Sequence, residues 1–159
     1  MDYLWTPWRY QYIASLKNPS RCVFCLESSG EYDERDFVVF RGKSSFVILN
    51  IFPYTTGHLL VAPYSHTADF QKSSQEESSE MMELVKRCQF ALQQTYQPDG
   101  FNVGMNLGRC AGAGVEHHLH VHVVPRWIGD SNFMTIVGET RVLPESLETT
   151  FHKLRAHFS

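Results

Sequence analysis

The sequence has no apolar run long enough to cross a membrane. No stretch of about 18 consecutive apolar residues occurs among its 159 residues. Its start, Met1-Asp-Tyr-Leu-Trp-Thr-Pro7, also lacks the positively charged and apolar regions of a signal peptide. We therefore expect a cytoplasmic protein that does not associate with membranes.

An excess of one charge sign is missing as well. Lys and Arg number 14, and Asp and Glu number 17, which gives a formal net charge of −3. The chain therefore has no basic surface suited to a nucleic acid polymer, and a small ligand is favoured. Cysteine is scarce: of the four present, Cys88 and Cys110 have no evident disulfide partner, a pattern that favours the reducing cytoplasm.

Apolar residues, in contrast, are plentiful. The chain is 43% hydrophobic and 13% aromatic, which at this length is enough to form one hydrophobic core. No internal repeat or linker divides it, so residues 1–159 are predicted to form a single domain. We expect an amino-terminal segment at 1–30, a core of sheet and helix at 36–126, and a carboxy-terminal extension with a helix at 127–159.

The secondary structure predicted is α+β: a mostly antiparallel five-stranded sheet with two main helices. Gly42-Lys43 followed by Ser44 predicts a hairpin between the first two strands. The five β-rich runs are Phe37–Phe40, Phe46–Asn50, Leu59–Ala62, Phe101–Met105 and Leu119–Val124.

Capping signals place the two helices. Ser74 and Glu77 form a capping box that opens a helix at Gln75, and Pro98 ends it after Tyr96. Pro144 suits the first turn of the second helix. Its core face is predicted from the helical spacing of Leu147, Phe151, Leu154 and Phe158.

Residues 118–122 read His-Leu-His-Val-His and carry the strongest functional signal. On a strand, His118, His120 and His122 share one face, while Leu119 and the valines pack on the other. A lone histidine in a strand is commonly a half-buried structural residue, but three in strict alternation need polar partners for their ring nitrogens. The pattern therefore indicates a site.

Geometry argues against one metal ion bound by all three rings. Residues four apart on a strand lie about 13 Å apart, whereas zinc binds imidazole nitrogen at about 2.0–2.1 Å, so only neighbouring histidines can chelate together. The alternative is a ligand with several anionic oxygens, such as a phosphate. A neutral imidazole whose Nδ1–H is held by an acceptor presents an Nε2 lone pair that can attack phosphorus.

The segment before this strand favours the phosphate alternative. Four glycines occur between Gly104 and Gly114, which allows backbone N–H groups to approach an anion closely. Taken alone this segment is more typical of an ordinary hairpin loop, and it matches neither a P-loop nor a dinucleotide fingerprint. Its position beside the histidines favours phosphate binding.

The motif resembles the signature of the histidine triad family, in which three histidines alternate with apolar residues. The similarity covers the run from Asn106 to Met134 and the segment from Phe46 to His66, which contains Gly57-His58-Leu-Leu-Val-Ala-Pro63. Leu4-Trp-Thr-Pro-Trp-Arg9 and Pro125-Arg-Trp127 are similar to the bacterial branch that includes diadenosine tetraphosphate phosphorylases, also called ATP adenylyltransferases. The resemblance implies the fold of that family, a nucleotide substrate and a homodimer.

The resemblance also implies roles for individual residues. His120 matches the nucleophile that takes a nucleotidyl group from the α-phosphorus, and His122 matches the histidine that hydrogen-bonds the phosphate. His58 matches the upstream histidine that orders the site, Asn50 a ribose contact, and Asn106 the start of the phosphate loop. The expected catalytic set is therefore His58, His120 and His122.

At Gly114 the chain departs from the family pattern. Many members carry a serine, threonine or glutamine there, and this chain has no side chain to donate. Backbone N–H groups around Gly112, Ala113 and Gly114 are expected to bind the phosphates instead. Glu116 and His117 are then candidates for protonating the leaving group, with solvated turn residues as the alternative interpretation.

A second motif, Cys22-Val-Phe-Cys25, lies near the amino terminus. Taken alone it fits half of a zinc site, a redox pair or two buried thiols. The family resemblance implies a structural zinc completed by His66 and His118, with His117 as the rival for the last position. Four protein ligands leave no open coordination position, which is typical of a structural rather than a catalytic zinc.

Three interpretations of function follow. The first is an enzyme that cleaves dinucleoside polyphosphates through a nucleotidyl-His120 intermediate, with inorganic phosphate as acceptor. The second uses water instead, as a dinucleoside polyphosphate hydrolase or a nucleoside phosphoramidase does. The third is a zinc-stabilised nucleotide-binding regulatory module.

Four aromatic residues near the amino terminus are expected to pack against the core or a second subunit, with base stacking as the alternative: Trp5, Trp8, Tyr10 and Tyr12.

Overall fold

A computed structural model describes residues 22–26, 30–130 and 143–158. The expected packing of the four amino-terminal aromatic residues lies outside these ranges, as does most of the predicted segment 1–30. The strands are β1 (Val38–Arg41), β2 (Ser45–Leu49), β3 (Leu59–Pro63), β4 (Gly100–Gly104) and β5 (Val121–Arg126), and the helices are α1 (Gln75–Tyr96) and α2 (Leu147–Arg155).

The strands form one sheet in the order β1-β2-β3-β5-β4, and every neighbouring pair is antiparallel. This architecture confirms the predicted α+β fold and the hairpin at Gly42-Lys43. The predicted start of β5 at Leu119 was wrong, because the Leu119 N–H donates to the Thr67 carbonyl at 2.7 Å, outside the sheet. Two of the three histidines, His118 and His120, therefore lie just before the strand.

Helix α1 has the predicted bounds and the predicted capping box. The Ser74 side chain accepts from the Glu77 N–H, and the Glu77 carboxylate accepts from the Ser74 N–H. The second helix begins later than expected, because Ser146 is its N-cap and accepts from the Thr149 N–H. Pro144 therefore precedes α2 and does not lie in its first turn.

No helix among the described residues combines the length and apolar character needed to cross a bilayer.

The two faces of the sheet have different partners. One face packs against both helices and forms the larger apolar cluster, to which Val47 and Leu49 of β2 contribute. Alternate residues of β2, Phe46 and Ile48, belong to a second cluster on the opposite face. His122 pairs in register with Leu60 of this second cluster. The histidines therefore lie on the face that the helices leave uncovered.

At Gly57 the backbone of the loop before β3 lies close against α1. This residue has a left-handed φ of 81°, and a Cβ built on it would lie 2.7 Å from Leu92 Cδ2. We expect Gly57→Ala to lower the free energy of unfolding by about 2 kcal/mol or more, because it adds both backbone strain and overpacking. Gly100→Ala is the control, since nothing lies within 4 Å of its Cβ position. Urea unfolding of both variants checks this, and equal stabilities would contradict it.

Candidate functional site

A chain of hydrogen bonds fixes the protons on His58 and His122. The Tyr54 N–H donates to His58 Nδ1 at 3.1 Å, so the His58 proton lies on Nε2. That nitrogen lies 2.9 Å from His122 Nδ1, to which it donates. The His122 proton therefore lies on Nε2.

The Asn50 side chain is part of the same network. Its Oδ1 accepts from the Phe52 N–H at 2.9 Å, which turns its amide nitrogen toward His58 Nδ1 at 3.3 Å. The family resemblance implied a ribose contact for Asn50. The structure shows that the same side chain also orients His58, a role that sequence reasoning missed.

His122 presents an unsatisfied donor. Its Nε2 is buried and, among the described residues, has no hydrogen-bond partner. Burial, together with the nearby His120, lowers the pKa of His122 to about 4. The ring is therefore neutral near pH 7, and its Nε2–H can donate to an oxygen of a ligand.

His120 presents a lone pair where His122 presents an N–H. Its Nδ1–H donates to the His118 carbonyl at 2.8 Å, which leaves the lone pair on Nε2. Burial lowers the pKa of His120 and outweighs the hydrogen bond to His118, which acts to raise it. The rings of His120 and His122 meet edge to face with centroids 4.9 Å apart. A nucleophilic nitrogen and a hydrogen-bond donor are thus adjacent.

The glycine-rich loop forms a short turn of its own. Gly108 and Gly112 have left-handed φ angles of 84° and 86°, and the Asn106 side-chain amide donates to the Gly112 carbonyl at 3.4 Å. Glu116 lies 3.7 Å from the guanidinium of Arg109. The proposed roles of this loop and of Glu116 in binding and proton transfer remain predictions.

A compact group of metal-ligand-type atoms lies beside His120. Its ligand atoms all lie within 4.8 Å of one another, and it consists of Cys22, Cys25, His66 and His118. His118 Nε2–H donates to the Pro63 carbonyl at 2.8 Å, so its Nδ1 lone pair faces the sulfurs. His117 is exposed and is not part of the group.

The spacing in this group suits a tetrahedral metal ion. The Cys22 sulfur lies 3.4 Å from His118 Nδ1, and the Cys25 sulfur lies 3.2 Å from His66 Nδ1. Zinc bonds of about 2.3 Å to sulfur and 2.0–2.1 Å to nitrogen would place those atoms about 3.5 Å apart. The four cysteines all lie among the described residues and form no disulfide, so both sulfurs are available as ligands.

Comparison with known proteins identifies the family. A model of the HIT domain matches residues 31–127, and the chain belongs to the histidine triad (HIT) family. It is 40% identical over 154 residues to the AP-4-A phosphorylase of Mycobacterium tuberculosis, an alignment that covers 92% of this chain and 79% of that protein. This result confirms the family expected from the sequence.

Solved structures show the same fold. A zinc-bound histidine triad family protein from Mycobacterium smegmatis is 32% identical with a TM-score of 0.66, covering 86% of this chain and 91% of that chain. The diadenosine triphosphate hydrolase of Plasmodium falciparum has a TM-score of 0.61 at 21% identity, covering 76% and 73% of the two chains. At that identity the second likeness supports the fold alone.

Proposed function

We propose that the protein is an enzyme that cleaves dinucleoside polyphosphates, as a diadenosine tetraphosphate phosphorylase does. The observation that carries this proposal is the hydrogen bond from His120 Nδ1–H to the His118 carbonyl. It leaves the His120 Nε2 lone pair for attack on phosphorus, next to the His122 Nε2–H. The 40% identity to a protein named AP-4-A phosphorylase supports the same substrate class.

The reaction has two balanced steps. His120 Nε2 attacks the α-phosphorus, an N–P bond forms, and the P–O bond to the leaving nucleotide breaks with its electron pair on the leaving oxygen. Inorganic phosphate then attacks the same phosphorus, the N–P bond breaks, and the electron pair returns to His120 Nε2. With diadenosine tetraphosphate the products are ATP from the first step and ADP from the second.

Neighbouring residues would position the phosphates through both steps. The His122 Nε2–H donates to a non-bridging oxygen of the transferred phosphoryl group, and His58 holds His122 in the donor tautomer. Such fixed donors stabilise the charge that develops at phosphorus. Asn50 is proposed to contact the ribose. The phosphate-loop residues are Asn106, Gly112, Ala113 and Gly114, and Glu116 or His117 would supply the proton to the leaving group.

Zinc is proposed for the group formed by Cys22, Cys25, His66 and His118. The donor set of two thiolates and two imidazoles is typical of structural zinc, and four protein ligands leave no open position for water. The metal would therefore supply no chemistry to the reaction and would fix the Cys22–Cys25 turn to His118. The zinc-bound relative from Mycobacterium smegmatis supports this assignment.

We also propose the larger organisation expected from the sequence. Residues 1–159 would act as one unit, with the Cys22–Cys25 turn of segment 1–30 and helix α2 of segment 127–159 attached to core 36–126. The contacts of α2 with α1 and β1 support this organisation. The protein is proposed to be a cytoplasmic homodimer without nucleic acid or membrane partners. The lack of a disulfide among its four cysteines suits a reducing compartment.

Product analysis with diadenosine tetraphosphate tests the proposed reaction. We expect continuous formation of ADP and ATP only when inorganic phosphate is present, and at most one ATP for each His120 in its absence. AMP and ATP formed regardless of phosphate would show that water is the acceptor. Saturable nucleotide binding without turnover would instead assign the protein to the regulatory class.

A further inference from the structure

Phe24 lies inside the Cys22–Cys25 turn, yet it contacts the proposed nucleophile. Its side chain is only 4% exposed, whereas its neighbour Val23 is 62% exposed. The Phe24 ring lies on His120 with centroids 4.9 Å apart and planes tilted by 39°. The same ring meets His118 edge to face at 5.3 Å. One aromatic ring thus links the metal-type cluster to the reaction site.

The hydrogen bond of His120 does not by itself fix the direction of its ring. The bond from Nδ1 to the His118 carbonyl holds one atom, but the ring can still tilt about that atom. A tilt would move Nε2, which is joined to Nδ1 through Cε1. Phe24 packs against the His120 ring, and the edge-to-face contact with His122 restricts it from another direction.

Phe24 is itself firmly held. The Cys25 N–H donates to the Cys22 carbonyl at 3.1 Å, which closes the turn, and the Leu26 N–H donates to the Phe24 carbonyl at 3.0 Å. The ring belongs to the apolar cluster that includes Phe46 and Leu60 on the site face of the sheet. A displacement of the turn would therefore move Phe24 relative to His120.

We propose that Phe24 is a positioning residue that couples the Cys22–Cys25 turn to the direction of the His120 Nε2 lone pair. This inference rests on the proposed function, because it assigns Phe24 a part in the transfer step. Displacement of a reacting atom by about 1 Å can cost a large factor in rate even when the fold is kept. The Phe24 side chain thus orients the His120 Nε2 lone pair, and it exchanges no proton.

The first test compares Phe24→Leu with Val23→Ala in the zinc-loaded protein. Leucine keeps apolar bulk but removes the flat ring, and Val23 lies in the same turn with its side chain in solvent. We expect Phe24→Leu to lower kcat for diadenosine tetraphosphate about tenfold, with KM changed less than about threefold and the zinc content unchanged. Val23→Ala is expected to match the unsubstituted protein.

Each other outcome would contradict the proposal. A rise in KM at constant kcat would assign Phe24 to ligand contact, and a loss of zinc in Phe24→Leu would assign it to the metal cluster. Unchanged kcat would remove the role altogether. Circular dichroism checks that Phe24→Leu is folded, and Phe24→Met, with its flexible unbranched side chain, is the second variant if leucine is not tolerated.

A spectroscopic measurement is independent of turnover. The ¹³C relaxation of the His120 Cε1–H group, assigned with a His120→Gln sample, reports how far the ring moves on its Nδ1 hydrogen bond. We expect a rigid ring in the unsubstituted protein and in Val23→Ala, and a lower order parameter in Phe24→Leu. Equal order parameters in all three would overturn the proposal. If the unsubstituted protein cleaves no dinucleotide but the order parameter falls in Phe24→Leu, the proposed function fails while the positioning role stands.

A double-variant cycle tests the coupling to the turn. If Cys22→Ser slows the transfer step by displacing Phe24, then adding Phe24→Leu to Cys22→Ser should lower kcat by less than about twofold more. Assays are run below the melting temperature of the least stable variant. If the decreases in kcat of the two single variants multiply in the double variant, the turn and Phe24 act separately. That result would contradict the proposed coupling.

Discussion

Replacing His120 with alanine is expected to lower the rate of diadenosine tetraphosphate cleavage by about a thousandfold or more. The substitution removes the Nε2 lone pair that the bond from Nδ1–H to the His118 carbonyl keeps available. Neither the covalent intermediate nor its transfer to phosphate can then form at this residue. Chromatographic separation of ADP and ATP measures the rate, and acid-labile labelling of the protein by nucleotide should disappear.

His157→Ala is the matched control for this prediction. It removes an exposed imidazole just after α2, outside the hydrogen-bonded pair of His58 and His122. We expect its rate of cleavage to match that of the unsubstituted protein. A His120→Ala protein that keeps full turnover would disprove the nucleophile assignment. Equilibrium binding of a nucleotide to the variant checks that the site is intact.

Replacing Cys22 with serine is expected to remove zinc and destabilise the fold. Serine oxygen is a poor substitute for the cysteine sulfur that lies 3.4 Å from His118 Nδ1, and a structural zinc contributes directly to folding free energy. A loss of about 3 kcal/mol would lower the melting temperature by about 6–12 °C in a chain of this size. The rate of the transfer step should fall by about tenfold at most, because the substitution leaves His120 in place.

Cys110→Ser is the control for the metal prediction. Cys110 is an exposed thiol in the glycine-rich loop and is not part of the four-residue group. We expect its zinc content and melting temperature to match those of the unsubstituted protein. Zinc-free purified protein, or an unchanged metal content in Cys22→Ser, would contradict the proposed site. Atomic absorption and differential scanning calorimetry provide the two measurements.

Local patterns in the sequence were sufficient to predict most of the fold. The bounds of α1 follow from Ser74 and Glu77, whose reciprocal hydrogen bonds join residues three apart. The two faces of the histidine segment follow from alternation, since Leu119, Val121 and Val123 all belong to the helix-facing core. Such features depend on neighbours along the chain, so one sequence contains the information that they need.

The features that the sequence did not reveal depend on distant contacts. Leu119 leaves the sheet because its N–H bonds to the Thr67 carbonyl, about which the alternation of residues carries no signal. The sequence indicated no role for Phe24, because its contact with His120 joins positions that are distant in the chain. Only the spacing of the two cysteines marked that region, and it did not indicate where the intervening side chain would point.

Histidines and apolar residues alternate through residues 118–123, so the site and the core depend on the same register of the chain. Val121 and Val123 belong to the core and are each 1% exposed or less, while His120 and His122 lie on the opposite face. Inserting or deleting a single residue between His120 and His122 would turn the side chains beyond the change to the other face of the sheet. The His122 imidazole would then enter the apolar core, and a valine would take its place beside the proposed nucleophile His120. Length changes in this segment should therefore abolish folding and reactivity together, whereas the surface loop at 106–114 can vary in length without disturbing the core.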